Sequence, residues 1–322
     1  MSLKNTLKPL LHRHPRLNSV YGAVRSGGRT LVRRCPAGLG AGEILPPPFF
    51  IVGAARSGNT LLRALLLGHS RVSIPPESYV LGGLALEWER VCYRDWDSLV
   101  RYVLDAFEHQ YDFGTWETDL SPLAVRLDNV EPRRRSLAMI IDAVYRYYSE
   151  AKFPGADMWG DKTPLTTERV FLIDRVFPGA RYVHMLRDGR DAVSSAVKAG
   201  LYEGSVEAAC RQWLLRVRTA REFGRTIAGE RFMETRYEDL VSGPRAAVET
   251  VCRFLGLDFQ EEMMEHEGAY TKMGDATAHD HHSKVGEPVT TGSIGKWKER
   301  LTDDQADTVE RMLGDELERT GY

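Results

Sequence analysis

The fold of this chain is decided by the stretch Phe49-Phe50-Ile51-Val52-Gly53-Ala54-Ala55-Arg56-Ser57-Gly58-Asn59-Thr60-Leu61-Leu62. Its first four residues form a short apolar, β-prone run, which is typical of a strand buried on both faces. From Thr60 to Gly68, leucines recur along one face of a helix. The two glycines between strand and helix have the spacing of a loop that binds phosphate through backbone N–H groups.

Strand-like and helix-like stretches alternate along the rest of the chain. We predict further strands at 72–74, 180–186 and 231–235. We predict helices at 79–91, 96–109, 132–150, 166–176 and 204–228, and another that begins near Gly189. Residues 158–160 are predicted to lead into a loop. This alternation indicates an α/β fold: a single P-loop-like domain with a central, mainly parallel sheet flanked by helices.

Charge is distributed unevenly along the chain. Residues 1–44 carry eight Lys or Arg and one acidic residue, Glu43, whereas the whole chain has a net charge of -2. We therefore predict a basic N-terminal extension at 1–44 and a folded domain at 45–322. The extension is interpreted as a solvated tail, and its charge also suits peripheral contact with an anionic membrane surface. No nucleic-acid partner is expected.

Three further features bear on location and metal content. The apolar stretches are short and interrupted, which excludes an evident membrane span and leads us to predict a cytoplasmic protein. The four cysteines are far apart and are interpreted as reduced thiols: Cys35, Cys92, Cys210 and Cys252. The cluster His279-Asp280-His281-His282 lacks further signalled ligands, so we predict no metal site.

Two residues of the phosphate loop limit the ligand that it suits. A nucleotide-hydrolysing loop has Lys directly after the second glycine, but Asn59 stands there, and the cation Arg56 lies inside the loop. This favours a donor with one phosphate next to the transferred group. Arg56-Ser57-Gly58-Asn59-Thr60 resembles the sulfotransferase form of the loop, in which Arg or Lys precedes Ser-Gly-Thr-Thr.

Three later segments strengthen the resemblance to sulfotransferases. Arg187 and Ser195 have the eight-residue spacing of the family's 3′-phosphate site, and Arg187 follows a predicted strand, where ligands of open α/β sheets bind. Residues 236–240 are similar to the family's Tyr-Glu-Asp segment beside the adenine, and 292–298 look like its late Gly-x-x-Gly-x-Trp-Lys loop. The resemblance spans residues 53 to 298 and is closer to the tyrosylprotein and bacterial branch than to the cytosolic small-molecule enzymes.

The resemblance implies the donor 3′-phosphoadenylyl sulfate (PAPS), with no metal, and a set of residues that bind it. The implied donor-binding residues are Arg56, Ser57, Gly58, Asn59, Thr60, Leu61, Arg187, Ser195, Tyr237 and Lys296. Two departures stand out. Thr290-Thr291-Gly292 occupies the place of an Arg-Lys-Gly clamp, for which Lys296 is our candidate replacement, and the histidine base of the cytosolic enzymes has no clear counterpart.

Three residues are predicted to act in sulfuryl transfer. Arg56 is predicted to stabilise the leaving 5′-phosphate. Glu77 follows the second predicted strand and stands 21 positions after Arg56, as the general base does in the tyrosylprotein-type branch. Lys162 lies in a Lys-Thr-Pro turn similar to the family turn that carries a catalytic lysine. The alternatives are that Glu77 caps a helix and that Lys162 is a solvated turn residue.

We therefore predict transfer of a sulfuryl group from PAPS to a hydroxyl or amine acceptor, with release of the product nucleotide PAP. The acceptor class stays open between carbohydrate, lipid, phenol and peptide tyrosine. Two other functions remain as alternatives: a nucleotide kinase or NTPase with an altered loop, and a non-catalytic protein that binds PAP or another polyanion.

Overall fold

A five-stranded sheet, parallel at every pairing, forms the centre of the protein, in the order β2-β3-β1-β4-β5. The computed structural model describes residues 34–40, 42–265, 273–274 and 288–322. The strands are β1 (Phe49–Gly53), β2 (Val72–Ser73), β3 (Met158–Asp161), β4 (Arg181–Leu186) and β5 (Phe232–Arg236). The predicted α/β fold with a mainly parallel sheet is confirmed.

Helices cover the sheet. They are α1 (Asn59–Leu66), α2 (Leu81–Val91), α3 (Trp96–Glu108), α4 (Ser121–Asp128), α5 (Leu137–Lys152), α6 (Val170–Val176), α7 (Gly189–Lys198), α8 (Val206–Thr226), α9 (Tyr237–Ser242), α10 (Pro244–Leu255), α11 (Trp297–Arg300) and α12 (Asp303–Thr320). The predicted 132–150 helix is a short 3₁₀ turn at 132–134 followed by α5. Five helices have no counterpart in the prediction: α4, α9, α10, α11 and α12.

Strand β1 is buried along its whole length, as its apolar sequence predicts. Phe50 faces one side of the sheet, where its ring stacks on Tyr182 at 5.4 Å between centroids. Phe49 and Ile51 face the other side, which α1 and α10 cover. Burying each of these side chains stabilises the fold by about 1.5–3 kcal/mol. The central strand therefore anchors cores on both faces.

Strand β3 includes residues 158–160, which the sequence predicts only as a stretch that leads into a loop. The run Met158-Trp159-Gly160-Asp161 is short, and Gly and Asp are poor strand formers. The local sequence therefore does not predict a strand here. Its strand geometry comes from pairing with β1 and β2 on either side. Gly160 is required there, because a Cβ atom at this position would lie 2.4 Å from Cζ of Phe49. Tertiary contacts thus create this strand.

The predicted division at residue 44 stays a prediction, but packing already begins before it. The backbone N–H of Cys35 donates to the carbonyl of Cys92 at 2.8 Å, and Leu39 is buried. Residues 1–33, which carry most of the basic extension, lie outside the described residues. Within the described part, all four cysteines are free thiols. No helix among the described residues has both the length and the apolar character to cross a membrane.

Candidate active site

The carboxyl ends of all five strands supply predicted site residues. The phosphate loop at 54–58 follows β1, and Glu77 lies four positions after β2. Lys162, Arg187 and Tyr237 follow β3, β4 and β5 directly. Because parallel strands end at the same sheet edge, these residues share one side of the molecule. The strand order also reverses direction beside β1, and open α/β sheets bind ligands at such a point.

The phosphate loop adopts a conformation that depends on its glycines. Gly58 has φ 91°, and a Cβ atom there would lie 2.5 Å from Cδ2 of Tyr237. At Gly53 an added Cβ would lie 2.5 Å from the carbonyl oxygen of Met185. Arg56 also has a positive φ of 65°, a conformation that costs a non-glycine residue about 1–2 kcal/mol. The loop is therefore tightly fitted and strained at its cation.

Buried polar atoms at this loop fit an anionic ligand. Among the described residues, the hydroxyl of Ser57 and Nε of Arg187 are buried and have no hydrogen-bond partner. Such groups are destabilising unless a ligand satisfies them, and both can donate to phosphate oxygens. The loop also leads into the N-terminus of α1, whose first N–H groups are unsatisfied by the helix itself. These features suit the phosphate end of a nucleotide donor.

The cations of the two predicted anion sites lie together. Arg56 donates from Nε to the hydroxyl of Ser195 at 3.2 Å, and Arg187 donates to the carbonyl of Arg56 at 2.9 Å. Arg187 also lies over the ring of Tyr237, with its guanidinium carbon 4.1 Å from the centroid. Burial, and then the charges of Arg187 and Arg300, lower the pKa of Arg56. This concentration of positive charge favours a polyanionic ligand.

The late loop is attached to α7 through Asp191. The fully buried carboxylate accepts hydrogen bonds from the backbone N–H groups of Gly295 at 2.7 Å and Trp297 at 2.9 Å. The sequence gives no signal for this role beyond the position of Asp191 in the first turn of a helix. Arg187 holds the same loop by donating to the carbonyl of Ser293 at 2.7 Å.

The structure leaves the role of Lys296 a prediction. Its ammonium is half-exposed and pairs with Glu299 at 2.9 Å. Arg300 lies three residues after Trp297, and its charge contributes to lowering the pKa of Arg56. Sequence reasoning did not select Arg300, because it lies beyond the late-loop motif.

Glu77 and Lys162, predicted separately, are in direct contact. The ammonium of Lys162 donates to Oε1 of Glu77. Lys162 is almost completely buried, with 1% of its side chain exposed, whereas 14% of the Glu77 side chain is exposed. Lys162 is therefore not a solvated turn residue, and the carboxylate side of the pair has access to solvent.

A buried acid, Asp161, lies next to this pair in the chain. Its carboxylate accepts hydrogen bonds from Tyr145 at 2.8 Å, Thr163 at 3.1 Å and Thr166 at 3.2 Å. Burial, with a smaller contribution from the charge of Glu77, raises its pKa to about 6, against the lowering effect of these donors. No sequence motif marked Asp161, and its position just before Lys162 was the available signal.

No group of three His, Cys, Asp or Glu side chains among the described residues is arranged to hold a metal ion. The segment His279-Asp280-His281-His282, for which we predict no metal, lies outside the described residues.

The fold and the site together define a P-loop-like α/β protein with an anion site at the sheet edge. A family model described as the sulfotransferase family matches residues 47–261, and the chain belongs to that family. The predicted family and, at this level, the predicted sulfuryl transfer are confirmed.

Two protein-tyrosine sulfotransferases are similar to this chain in sequence, and a sulfotransferase domain is similar to it in fold. Protein-tyrosine sulfotransferase 1 of Danio rerio is 23% identical over 286 residues, which cover 86% of this chain and 72% of that protein. Protein-tyrosine sulfotransferase A of Caenorhabditis elegans is 23% identical over 291 residues, covering 86% and 67%. The sulfotransferase domain of the Synechococcus PCC 7002 olefin synthase has a similar fold, with a TM-score of 0.53, 22% identity, and coverage of 87% of this chain and 95% of that one.

The prediction of a cytoplasmic protein is wrong. The similar curated proteins are protein-tyrosine sulfotransferases, which are Golgi-resident enzymes. The prediction had rested only on the lack of a long apolar run, and such a lack does not identify a compartment.

Proposed function

We propose that this protein transfers the sulfuryl group of PAPS to a hydroxyl acceptor and releases PAP. One observation carries the proposal: the phosphate loop, the Arg187 site and the Glu77–Lys162 pair lie at the same edge of the sheet. A donor with phosphates at both ends requires two cationic sites, and transfer requires a base close to one of them.

The donor-binding residues divide into two groups. Residues 56–61 hold the 5′-phosphosulfate end, where the Ser57 hydroxyl and loop N–H groups donate to oxygen. The 3′-phosphoadenosine end is held by Arg187, Ser195, Tyr237 and Lys296. The unpartnered Nε of Arg187 and its stacking on Tyr237 support this assignment. When bound, PAPS supplies an activated sulfuryl group and a phosphate leaving group.

Each catalytic residue has one task in this proposal. Glu77 accepts the proton of the acceptor hydroxyl, and its partial exposure leaves room for the acceptor to approach. Lys162 stabilises negative charge on the transferring group, and Arg56 stabilises charge on the leaving phosphate oxygen. Nucleophile and leaving group lie in line across sulfur, so catalysis depends mainly on positioning and on fixed cations.

Aromatic side chains in contact with the segment around Glu77 suit an acceptor with a ring. Tyr79 makes an edge contact with Tyr111, whose ring centroid is 6.1 Å away and which is 72% exposed. The Trp116 indole donates to the carbonyl of Glu77 at 3.4 Å. Together with the similarity to protein-tyrosine sulfotransferases, these contacts make peptide tyrosine our first candidate acceptor, ahead of other phenols, carbohydrates and lipids.

The test is a transfer assay with radiolabelled PAPS and four acceptors: a tyrosine-containing peptide, a simple phenol, a monosaccharide and a lipid alcohol. We expect label in one acceptor, and we expect PAP to raise the melting temperature more than ADP or AMP without added metal. Stabilisation by ATP with Mg²⁺ alone would support a kinase or NTPase instead. Stabilisation by PAP without transfer to any acceptor would indicate a non-catalytic binder.

A further inference from the structure

A hydrogen-bond relay links the buried carboxylate of Asp161 to the backbone next to Glu77. The hydroxyl of Thr163 donates to Oδ2 of Asp161 at 3.1 Å and accepts from the N–H of Ser78 at 2.8 Å. Tyr145 donates to the same carboxylate oxygen at 2.8 Å. Asp161, Thr163 and Ser78 are each no more than 1% exposed. The relay is therefore shielded from water.

The direction of each bond in the relay follows from the groups involved. An ionised carboxylate only accepts and a backbone N–H only donates, so the Thr163 hydroxyl has one orientation that satisfies both neighbours. Its proton points to Asp161 and a lone pair points to Ser78. Asp161 thereby fixes the hydroxyl that holds the residue after Glu77.

We propose that Asp161 and Thr163 are positioning residues that hold Glu77 against Lys162. The inference rests on the proposed function, in which Glu77 is the base. Lys162 stands between Asp161 and Thr163 in the chain, and Glu77 stands directly before Ser78. The buried carboxylate is therefore bonded to Lys162 through the chain and linked to the neighbour of Glu77 through Thr163, although the two partners follow different strands.

The segment that carries Glu77 is irregular, and side chains of other elements hold it in place. Strand β2 contains only two residues, and residues 74–80 form neither helix nor strand. Arg63 donates to the carbonyl of Ile74 at 3.1 Å, at the start of the segment.

Near Glu77, the Trp116 indole donates to the carbonyl of Glu77 at 3.4 Å, and Gln110 accepts from the N–H of Tyr79 at 2.9 Å. Loss of the Thr163 bond would remove the contact at Ser78, which lies between these two, and allow Glu77 to shift. A displacement of about 1 Å at a reacting group can lower the rate about 100-fold.

The chain offers a matched set of variants for this relay. Thr163→Val removes the hydroxyl at nearly constant volume, and Thr163→Ser retains it. Thr166→Val is the control, because Thr166 is also buried and donates to Asp161 at 3.2 Å, whereas the bond to the N–H of Ser78 is made by Thr163. All three are assayed with radiolabelled PAPS and the tyrosine-containing peptide, together with PAP affinity and melting temperature.

We expect Thr163→Val to lower kcat about 10- to 100-fold while KM for PAPS and the Kd for PAP change less than about threefold. Thr163→Ser and Thr166→Val should retain kcat within about threefold. A purely structural role predicts equal losses in Thr163→Val and Thr166→Val. That result, or an unchanged kcat in Thr163→Val, would overturn the inference.

Amide hydrogen exchange at Ser78 tests the relay independently of activity. Exchange should accelerate in Thr163→Val and stay near the wild-type rate in Thr163→Ser and Thr166→Val. Unchanged exchange in Thr163→Val refutes the relay even if the wild type transfers no sulfate. A wild type without transfer to any acceptor refutes the proposed function, whereas an active wild type with an unaffected Thr163→Val refutes the relay alone.

Discussion

Lys162 donates a hydrogen bond to Glu77, although 85 positions separate the two residues in the chain. They follow β3 and β2, which are neighbours in the sheet, so the strand order brings the two opposite charges to the same place. A buried ammonium requires such a partner, because an unpaired charge in the interior is strongly destabilising. The contact also joins the proposed base to the proposed stabilising cation.

Glu77→Gln should lower kcat about 100-fold or more, because an amide cannot accept the acceptor proton. PAP affinity, measured by titration calorimetry, should stay within about twofold of wild type, since donor-binding residues are untouched. Glu87→Gln is the control, as Glu87 lies on α2 and pairs with Arg90 at the surface. A fully active Glu77→Gln enzyme would exclude Glu77 as the base.

Lys162→Met should lower kcat about 100- to 1,000-fold, in the range found when one charge-stabilising donor is removed from an active site. Methionine retains much of the buried stem, so the loss reports the ammonium. Lys152→Met, which removes an exposed partner of Glu117, is the control and should retain activity. Single-turnover assays measure the rate constant of transfer in both variants. Equal rate constants would contradict a catalytic role for Lys162.

Asp191→Ala should raise the Kd for PAP about 10-fold or more, because two charge-assisted hydrogen bonds that hold the late loop are lost, at about 1.5–3 kcal/mol each before relaxation. Turnover at saturating PAPS should change much less. Asp188→Asn is the control from the same helix end, since Asn also caps a helix. If both variants bind PAP like wild type, the late loop does not contribute to donor binding.

Gly58→Ala should decrease the free energy of unfolding by about 1–2 kcal/mol or more, from the positive φ and the clash with Tyr237. It should also weaken PAP binding. Gly83→Ala should have the opposite effect on stability. Gly83 lies within α2, and no atom from the rest of the described residues lies within 4 Å of an added Cβ, so the free energy of unfolding should rise by about 0.5–1 kcal/mol. Urea unfolding of the two variants measures both changes in the free energy of unfolding. A Gly58→Ala variant more stable than wild type would contradict the strained-loop geometry.

Asp161 should make stability depend on pH in a direction opposite to that of a typical surface acid. Its folded-state pKa of about 6 lies above the ordinary 3.8, so between these values the folded protein binds a proton that the unfolded chain releases. The stability contributed by this group is therefore present below about pH 4 and is lost as pH rises to 6 and above. Relative to Asp161→Asn, the wild type should lose up to about 3 kcal/mol across this window. Parallel urea-unfolding profiles of the two proteins between pH 4 and 7 would contradict it.

Local sequence predicted the parts of the fold whose residues specify their own structure. The apolar run of β1, the glycines after it and the leucines of α1 form one continuous signal, and the same holds for β4 and α7. Strand β3 could not be predicted in this way, because Gly160 and Asp161 become strand residues only between β1 and β2. The helices after residue 236 were likewise absent from the prediction.

The candidate site divides in the same way. The sequence motifs identified four residues of the site, and all four lie at the sheet edge: Arg56, Glu77, Lys162 and Arg187. Spacing could not show that Asp191 holds the late loop, because these contacts join segments about 100 residues apart. The cytoplasmic prediction failed for another reason: location does not follow from the folded domain's chemistry.

The sequence by itself therefore determined the phosphate loop, the family and the identity of the charged residues, because glycine spacing and residue type are local properties. Only the tertiary structure decided which of those charges meet. Parallel pairing in the order β2-β3-β1-β4-β5 brings strand ends from residues 53 to 236 to one edge. There the low solvent access of Asp161, Lys162 and Arg187 makes each unpaired charge costly, so hydrogen bonds between distant segments fix the geometry of the site.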